Sequence, residues 1–454
     1  MKITFHGGAK SVTGANYLLE SSVDDHGSSV KVLIDCGLSQ GSNFAERQNF
    51  EPFPYSPHEI EAVFVTHAHI DHIGRIPKLF KEGFRGKIYS TPPTKDFGEF
   101  LLLDSEHLLA KEAEREHRPP LYTIEDVNRV MERWEGVEYH KSFSVGPFTI
   151  EFLNAGHILG SAIIKIQAEN KTIVFSGDLG NYPAPIIQAT EKIISADYCL
   201  IESAYGNRVH EGVDVRQERL EDAIEDVVKR KGTLLIPAFA MERTQDLLYH
   251  LNDLVERGRV PKIPVYIDSP LAIKLTEVYK KYEGYFNKET QELVRSGDDI
   301  LNFPGLHLSL TTEQSKEING VAPPKVVVAG SGMSQGGRIL HHEERYLPDP
   351  KNLILFIGFQ AKDSLGRQIM EGAKEVTIYG NKVSVRCEKR EIAAYSAHAD
   401  QPRLLEWLAP MKSTLKNIFI VQGEPEAMEE FASKIRDTLA LSTSIPDQGE
   451  SFEL

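Results

Sequence analysis

Three histidines and one aspartate lie within six positions of the segment VTHAHIDHIG, which spans residues 65–74. A chance cluster of this kind is expected on the order of once in a thousand sequences of this length and histidine content. An apolar run precedes the cluster, and alternate residues of an extended strand face the same side, so His67 and His69 can point together. Asp71 and His72 follow where the chain turns into a helix. Imidazole nitrogen and carboxylate oxygen are ligands that zinc accepts, so the segment predicts one or two zinc sites.

Two further donors follow later strands of the chain. His157 lies in NAGHILGSA and Asp178 lies in FSGDLGN, and each follows an apolar run with a glycine close by. Taken alone, a residue in such a place more often forms a turn or caps a helix. We interpret both as metal ligands because they occupy the same kind of position as the histidine cluster, at the end of a strand.

The length and spacing of the apolar runs divide the chain into three segments. Residues 1–205 contain short β-type runs separated by Gly, Asn, Asp and Ser turns, with a charged helical stretch between Thr94 and Arg133. Residues 206–374 alternate strand and helix, which is typical of parallel strands joined by crossover helices. Residues 375–454 return to short strands and one helix. The sequence therefore predicts an α/β protein in which one domain is inserted into another.

The bulk composition is that of an ordinary globular protein, with 41% hydrophobic and 26% charged residues. No apolar stretch reaches the length of a membrane span, and the first residues lack the pattern of a signal peptide, so we expect a cytoplasmic protein without a membrane partner. The formal net charge of −15 argues against a surface built for tight, non-specific binding of nucleic acid. A nucleic-acid substrate would need a local basic groove or a bound cation.

Several motifs, taken in order, resemble a known family. HAHIDH resembles the metallo-β-lactamase fold, in which two zinc ions lie at the edge of an αββα sandwich. Other segments resemble the β-CASP branch of that fold, which contains RNA-processing nucleases of the cleavage-factor type: IESAYGNR, IPAFAMERTQDLLYHL, YIDSPLA, GSGMSQGGRILHHEERYL, ILFIGFQAKDSLGRQIMEGAKEV and YSAHADQ. The resemblance covers nearly the whole chain. It implies a metallo-β-lactamase domain in residues 1–205 and 375–454, with an inserted β-CASP domain in residues 206–374.

The resemblance also implies a role for each matching residue of the metal cluster. It gives two zinc sites with these ligands: His67, His69 and His157 in the first, Asp71 and His72 in the second, and Asp178 bridging both. Asp35, in the segment LIDCG, would orient a ligand histidine, which is support that metal sites normally require.

The expected chemistry is hydrolysis of a phosphate ester. Two metal ions about 3.5–4 Å apart lower the pKa of a bridging water towards 7 and stabilise the charge on phosphorus. The departing oxygen then needs a proton, and histidine is the side chain best suited to supply it near neutral pH. Glu202 in IESAYG and His398 in YSAHADQ match two β-CASP motifs, and the resemblance implies that His398 donates this proton with an acidic partner. Asp71, His398 and Glu202 are therefore the expected catalytic residues.

One position departs from the family pattern. The third β-CASP motif is expected to carry a histidine in RNA-processing members and an apolar residue in DNA-acting ones, whereas FIVQGEPEAM places Gln422 there. A neutral amide oxygen is a poorer zinc ligand than imidazole. We expect either a weakly occupied second zinc site or a water that completes the coordination.

The contacts with the substrate are indicated less directly. In KVVVAGSGMSQGG a strand ends in a glycine-rich turn, which exposes backbone N–H groups suited to a phosphate but more often only aids packing. The family resemblance suggests four candidate phosphate contacts: Ser331, Arg338, Arg243 and Ser396.

The leading hypothesis is a zinc-dependent ribonuclease that cleaves single-stranded RNA, either within the strand or from its 5′ end. The alternatives are a hydrolase of another ester with the same fold, a DNA nuclease, and a metal-poor scaffold without activity. The β-CASP segment and His398 argue against a small ester, and only Gln422 supports the scaffold. A homodimer is expected because many relatives form one.

Overall fold

The computed structural model describes residues 1–23, 27, 29–41, 43–212, 215–358, 360–361 and 363–454. Residues 359 and 362, which belong to the motif ILFIGFQAKDSLGRQIMEGAKEV, lie outside the described residues. The described chain forms two compact units. The first, called the sandwich unit, consists of Met1–Ala184, Gln188–Val209 and Ala397–Leu454, and the second, called the inserted unit, consists of Pro185–Ile187 and His210–Ser396.

The strands of both units, in chain order, have the following bounds: β1 Lys2–Gly7, β2 Asn16–Glu20, β3 Lys31–Ile34, β4 Ile60–Phe64, β5 Lys87–Ser90, β6 Trp134–Gly136, β7 Phe143–Val145, β8 Phe148–Asn154, β9 Ala162–Ala168, β10 Lys171–Phe175, β11 Tyr198–Glu202, β12 Thr233–Pro237, β13 Val265–Asp268, β14 Leu306–Leu308, β15 Lys325–Ala329, β16 Leu353–Phe356, β17 Glu375–Ile378, β18 Asn381–Ser384, β19 Glu388–Glu391, β20 Asn417–Val421, β21 Thr443–Ser444 and β22 Ser451–Glu453.

The α-helices have these bounds: α1 Asn43–Gln48, α2 Ile70–Ile73, α3 Ile76–Lys81, α4 Pro92–Arg115, α5 Ile124–Arg133, α6 Val215–Arg230, α7 Arg243–Glu256, α8 Pro270–Lys281, α9 Lys288–Arg295, α10 Thr312–Glu317, α11 Ile339–Tyr346, α12 Leu365–Met370, α13 Gln401–Leu408 and α14 Pro425–Leu439.

Two seven-stranded sheets make up the sandwich unit, in the orders β22-β1-β2-β3-β4-β5-β6 and β21-β20-β11-β10-β9-β8-β7. Alternate residues of the strands point to opposite faces. Phe64 from the first sheet and Phe152 and Phe175 from the second are fully or almost fully buried in one core between the sheets. The opposite face of the second sheet packs on α13 and α14, where Trp407 and Phe431 fill a second core. The expected layered sandwich is therefore confirmed.

The inserted unit contains a six-stranded sheet in the order β14-β13-β15-β12-β16-β19. All of its neighbouring strands are parallel. Strands that are buried on both faces read as continuous apolar runs, as TLLIP and KVVVA do in this chain. The predicted alternation of parallel strands and crossover helices is therefore confirmed for this unit.

The boundary of the inserted unit differs from our expectation. We expected the chain to return to the first domain at residue 375, but the return lies at Ala397. Strand β19 pairs in parallel with β16 and completes the six-stranded sheet. Val376 and Val383, on the hairpin of β17 and β18, are buried in the same core as Phe356. Short strands after residue 375 resembled the first domain in sequence, but their pairing and burial keep them with the insert.

In the described part of the chain, no α-helix is both long enough and apolar enough to cross a bilayer.

A buried carboxyl group lies on α11 of the inserted unit. Glu343 is fully buried, and the Ser334 hydroxyl donates a hydrogen bond to its Oε1. Its Oε2 has no hydrogen-bond partner among the described residues. Burial raises the pKa of Glu343 from 4.5 to about 8. Because the folded state holds this proton more tightly than the unfolded chain, folding stability falls as the pH rises from 4.5 towards 8.

We predict that Glu343→Gln removes this pH dependence. The free energy of unfolding of E343Q should increase relative to that of the wild type by about 1.4 kcal/mol per pH unit between these two pKa values. Urea unfolding at several pH values, followed by circular dichroism, measures the difference. Parallel stability curves for the two proteins would show that Glu343 ionises normally in the fold.

Candidate metal centre and catalytic site

The candidate site residues follow the C-terminal ends of strands that run in the same direction within their sheets. In the first sheet, His67 and His69 follow β4, which is parallel to β3. In the second sheet, His157 follows β8, Asp178 follows β10, and Glu202 is the last residue of β11. Strands β10 and β11 are parallel, and β8 and β10 are both antiparallel to β9. The sheets therefore present these side chains at one edge of the sandwich unit.

Four of the predicted ligands converge on a single point. His69 Nδ1 lies 3.0 Å from His67 Nε2 and 3.2 Å from His157 Nε2. Oδ2 of Asp178 lies 3.4 Å from His67 Nε2 and 3.5 Å from His157 Nε2. Two ligands of a tetrahedral zinc with bonds of about 2.1 Å are separated by about 3.4 Å. The donor set therefore fits a tetrahedrally coordinated metal ion.

The protonation of these side chains also suits a metal. A histidine binds a metal only through an unprotonated nitrogen. Burial lowers the pKa of His69 and of His157 well below the ordinary value, and it also lowers the pKa of His67. Burial opposes ionisation of Asp178, but the neighbouring His72 and His67 lower its pKa well below the ordinary value. The cluster therefore offers neutral imidazoles and a carboxylate, and it is a metal-binding site.

Asp35 contacts a predicted ligand histidine, as the resemblance implied. It is fully buried after β3, and its Oδ2 lies 2.7 Å from Nδ1 of His72. The backbone N–H and the hydroxyl of Thr66 both donate to Asp35 at 2.8 Å. The Thr66 hydroxyl also lies 3.1 Å from Nδ1 of His67. Sequence reasoning missed Thr66, although its place directly before the first histidine was a usable signal.

Gln422 lies against the donors that the second metal would use. Its side-chain nitrogen is 2.9 Å from Nε2 of His72 and 3.0 Å from Oδ1 of Asp178, and the Tyr17 hydroxyl donates to its oxygen at 3.4 Å. A carboxylate only accepts hydrogen bonds, so the amide nitrogen must be the atom that faces Asp178. The amide therefore donates to Asp178, and its nitrogen also faces Nε2 of His72. Sequence reasoning also missed Tyr17, which carries no motif of its own.

The fifth predicted ligand, Asp71, stands further from this group. Its Oδ2 is 3.9 Å from Nε2 of His72, and a fifth of its side chain is exposed. Burial raises the pKa of Asp71 above its ordinary value, although the nearby His72 opposes the shift. Its carboxylate therefore lies beside the cluster and not among the four converging donors.

His398 forms the second part of the site. Its Nδ1 lies 3.3 Å from Oε2 of Glu202 and 3.8 Å from Oδ2 of Asp178. Glu202 is fully buried and accepts a hydrogen bond from the backbone N–H of Leu179 at 2.6 Å. Burial raises the pKa of Glu202, and the charge of His398 opposes that rise. The structure thus brings together the two residues that the sequence predicted as a catalytic pair.

The four candidate phosphate contacts lie in the inserted unit. The guanidinium of Arg338 donates to Asp268 Oδ1 at 2.7 Å and to the carbonyl of Ser309 at 2.9 Å. Arg243 is paired with Glu242, and the Ser331 hydroxyl accepts a hydrogen bond from the backbone N–H of Gln335. Arg338 in particular is held by protein groups at the ends of β13 and β14, which favours a role in fixing its turn against these strands. The fourth candidate, Ser396, is the last residue of the inserted unit.

Comparison with known families assigns three segments of the chain. Three family profiles match: a Metallo-beta-lactamase superfamily domain over residues 24–190, a Beta-Casp domain over residues 244–369, and a Zn-dependent metallo-hydrolase RNA specificity domain over residues 382–446. Together with the donor cluster, they define a metal-dependent hydrolase. The chain belongs to the β-CASP branch of the metallo-β-lactamase superfamily, a branch of nucleases.

Relatives with curated names match over most of the chain. It is 36% identical to Ribonuclease TTHA0252 of Thermus thermophilus, with 94% of each protein covered. It is 30% identical to an RNase J-like protein of Methanocaldococcus jannaschii, with 98% of each covered. It is 29% identical to the transcription termination factor FttA of Methanosarcina mazei over 98% of the chain and 70% of that protein.

A solved structure supports the fold alone. A crystal structure of a protein from Enterococcus faecalis V583 superimposes with a TM-score of 0.58 at 13% identity, and it covers 100% of this chain and 99% of the other.

We predict that His157→Ala weakens metal binding by more than about ten-fold, because it removes one of four converging donors. Elemental analysis after dialysis against a metal buffer measures the bound metal. The control is His140→Ala, which removes a largely exposed histidine from the same unit. Equal metal content in wild type, H157A and H140A would contradict the assigned ligand set.

Proposed function

We propose that the protein is a zinc-dependent phosphodiesterase that cleaves single-stranded RNA. The observation that carries this proposal is the shared position of Asp178. Its Oδ2 lies within 3.5 Å of two metal-donor nitrogens and 3.8 Å from Nδ1 of His398. The metal donors and the imidazole of His398 therefore share one carboxylate, and the ring centre of His398 lies 4.6 Å from that of His157. The ribonuclease names of the relatives and the RNA specificity profile support RNA as the substrate.

The donor set favours zinc. Three imidazoles and one carboxylate are typical zinc ligands, whereas magnesium and calcium prefer oxygen. When bound, zinc would polarise a phosphoryl oxygen and lower the pKa of a coordinated water. Asp71 is placed to accept a proton from the attacking water, because its carboxylate lies beside the cluster and its pKa is raised by burial.

The proton for the leaving oxygen would come from His398. Glu202 faces Nδ1 and fixes that edge of the ring, so the transferable proton is the one on Nε2. About a quarter of the His398 side chain is exposed, whereas Glu202 is fully buried. This difference in exposure suits an imidazole that must reach a bound strand, and a carboxylate whose role is to hold that imidazole in place.

The number of metal ions is proposed to be one tightly held zinc per chain. The Gln422 amide nitrogen donates to Asp178 and lies 2.9 Å from Nε2 of His72, so it occupies the space between two donors that a second ion would need. An amide nitrogen itself has no lone pair available for a metal. The neutral amide thus occupies the position of a second cation but does not supply the positive charge of that cation.

A cytoplasmic location and a homodimer are part of the same proposal. The three cysteines are buried and free, which suits a reducing compartment. Light scattering coupled to gel filtration gives the oligomeric state directly.

We predict that His398→Ala lowers the rate of RNA cleavage by about 100-fold or more and leaves zinc content unchanged. End-labelled single-stranded RNA, single-stranded DNA and a thioester are incubated with zinc-loaded wild type, H398A, Asp71→Ala and the surface control His107→Ala. RNA cleavage that is lost in H398A and D71A and retained in H107A supports the proposal.

Other outcomes of this assay would overturn it. Thioester hydrolysis that survives in H398A would indicate a hydrolase of small esters, and preferential cleavage of DNA would indicate a DNA nuclease. Tight RNA binding without turnover on any substrate would indicate a scaffold.

We predict that Gln422→His raises the zinc content from about one towards two ions per chain and increases the rate of RNA cleavage. An imidazole at this position restores a lone pair beside His72 and Asp178. Elemental analysis and single-turnover cleavage are compared with the wild type and with Gln167→His, which places a new histidine on an exposed position of the same unit. Equal zinc content and equal rates in all three proteins would remove the proposed role of the amide.

A further inference from the structure

A buried arginine without a counter-ion lies in the sandwich unit. Arg75, between α2 and α3, is only 8% exposed. Its Nε donates to the carbonyl of Gly37 at 2.5 Å, and its guanidinium carbon lies 5.5 Å from the centre of the Phe53 ring. Within the described chain, no carboxylate oxygen lies within 4.0 Å of this guanidinium, and its terminal nitrogens have no hydrogen-bond partner. Its terminal nitrogens retain access to solvent at the cavity, so a ligand can supply the opposite charge that this largely buried cation lacks.

Arg75 lines a polar cavity of about 240 Å³. His6, at the end of β1, lines the same cavity, and its Nε2 is a buried atom without a hydrogen-bond partner among the described residues. The centre of the Tyr55 ring lies 5.0 Å from the centre of the His6 ring, so the two rings are in contact. Burial and the charge of Arg75 lower the pKa of His6 to about 4, so at neutral pH its ring is uncharged. The cavity therefore contains one positive charge and one unused ring nitrogen.

The other walls suit a small oxyanion. Ser39 and Gln48 supply a hydroxyl and an amide. Glu51 is the only carboxylate among the described lining residues, and it is solvent-exposed. In a chain with a net charge of −15, an unpaired and buried arginine beside such donors indicates a site that receives its negative charge from a ligand.

The cavity adjoins the metal centre through one backbone segment. Gly8 lines the cavity, and its carbonyl accepts a hydrogen bond from the backbone N–H of Gln422 at 2.7 Å. Gly37, which accepts from Arg75, packs directly against the backbone of Asp71. A strand that extends from the metal donors past Gly8 would therefore present a phosphate to this cavity.

We propose that the cavity lined by Arg75 and His6 is an oxyanion subsite that binds a phosphate group. The guanidinium provides the charge and a paired set of donors, and His6 provides an N–H group from Nε2. The most direct source is a backbone phosphate of the substrate strand, and this part of the proposal rests on the proposed function. Free inorganic phosphate offers the same chemistry.

The binding test uses metal-free full-length protein, in which the metal donors cannot attract an anion. Titration calorimetry with inorganic phosphate is compared with chloride at equal ionic strength for the wild type, Arg75→Met and His6→Phe. H6F keeps the aromatic contact with Tyr55 and serves if R75M folds poorly. We expect each substitution to weaken phosphate binding by about ten-fold. Arg85→Met, which removes an exposed arginine of the same unit outside the cavity, should bind phosphate as the wild type does.

A second arm identifies the source of the phosphate. Fluorescence anisotropy gives the affinity of the same metal-free proteins for a short single-stranded RNA. A ten-fold loss in R75M and H6F, with competition by inorganic phosphate, supports a strand phosphate. Unchanged RNA affinity with lost phosphate binding supports the subsite and assigns it to free phosphate.

The proposal is overturned if the wild type binds phosphate no better than chloride, or if R75M and H6F both bind phosphate as the wild type does. Failure of the proposed function would give a different experimental result. In that case zinc-loaded wild type leaves RNA intact, while the phosphate binding of the metal-free protein still depends on Arg75 and His6.

Discussion

At the site edge of the sandwich unit, the fold holds several donor atoms so close that their lone pairs face one another. The donor nitrogens of His67, His69 and His157 face the same point as Oδ2 of Asp178. Lone pairs at such distances repel unless a proton or a cation lies between them. Burial lowers the pKa of His69 and His157, which disfavours the proton and leaves a metal ion as the natural occupant. The two sheets supply the rigid strand ends that keep these side chains from moving apart.

One carboxylate, that of Asp178, contacts three parts of the site. Oδ2 of Asp178 faces the metal donors and His398, whereas its Oδ1 accepts a hydrogen bond from Gln422. The position of Asp178 therefore links the metal donors, the proposed proton donor and the amide. The amide nitrogen also faces His72, so a neutral side chain lies where the resemblance implied a histidine.

Site residues could be predicted from the sequence where a short local segment marks them. The histidine cluster follows one strand, so its convergence could be predicted from local spacing. Positions at strand ends indicated His157 and Asp178, and the resemblance supplied the pair formed by Glu202 and His398. The end of the insert could not be predicted, because it depends on the pairing of β19 with β16. The orientation of the Gln422 amide and the isolation of Arg75 depend on contacts between residues far apart in the chain, and no local pattern marks them.

Anomalous diffraction at the zinc edge, recorded from crystals of the zinc-loaded protein, locates the bound ions. We expect one strong peak at about 2.0–2.2 Å from donor atoms of His67, His69, His157 and Asp178, with no second peak bonded to His72. A crystal without metal at this position, or one in which these imidazoles point away from one another, would contradict it.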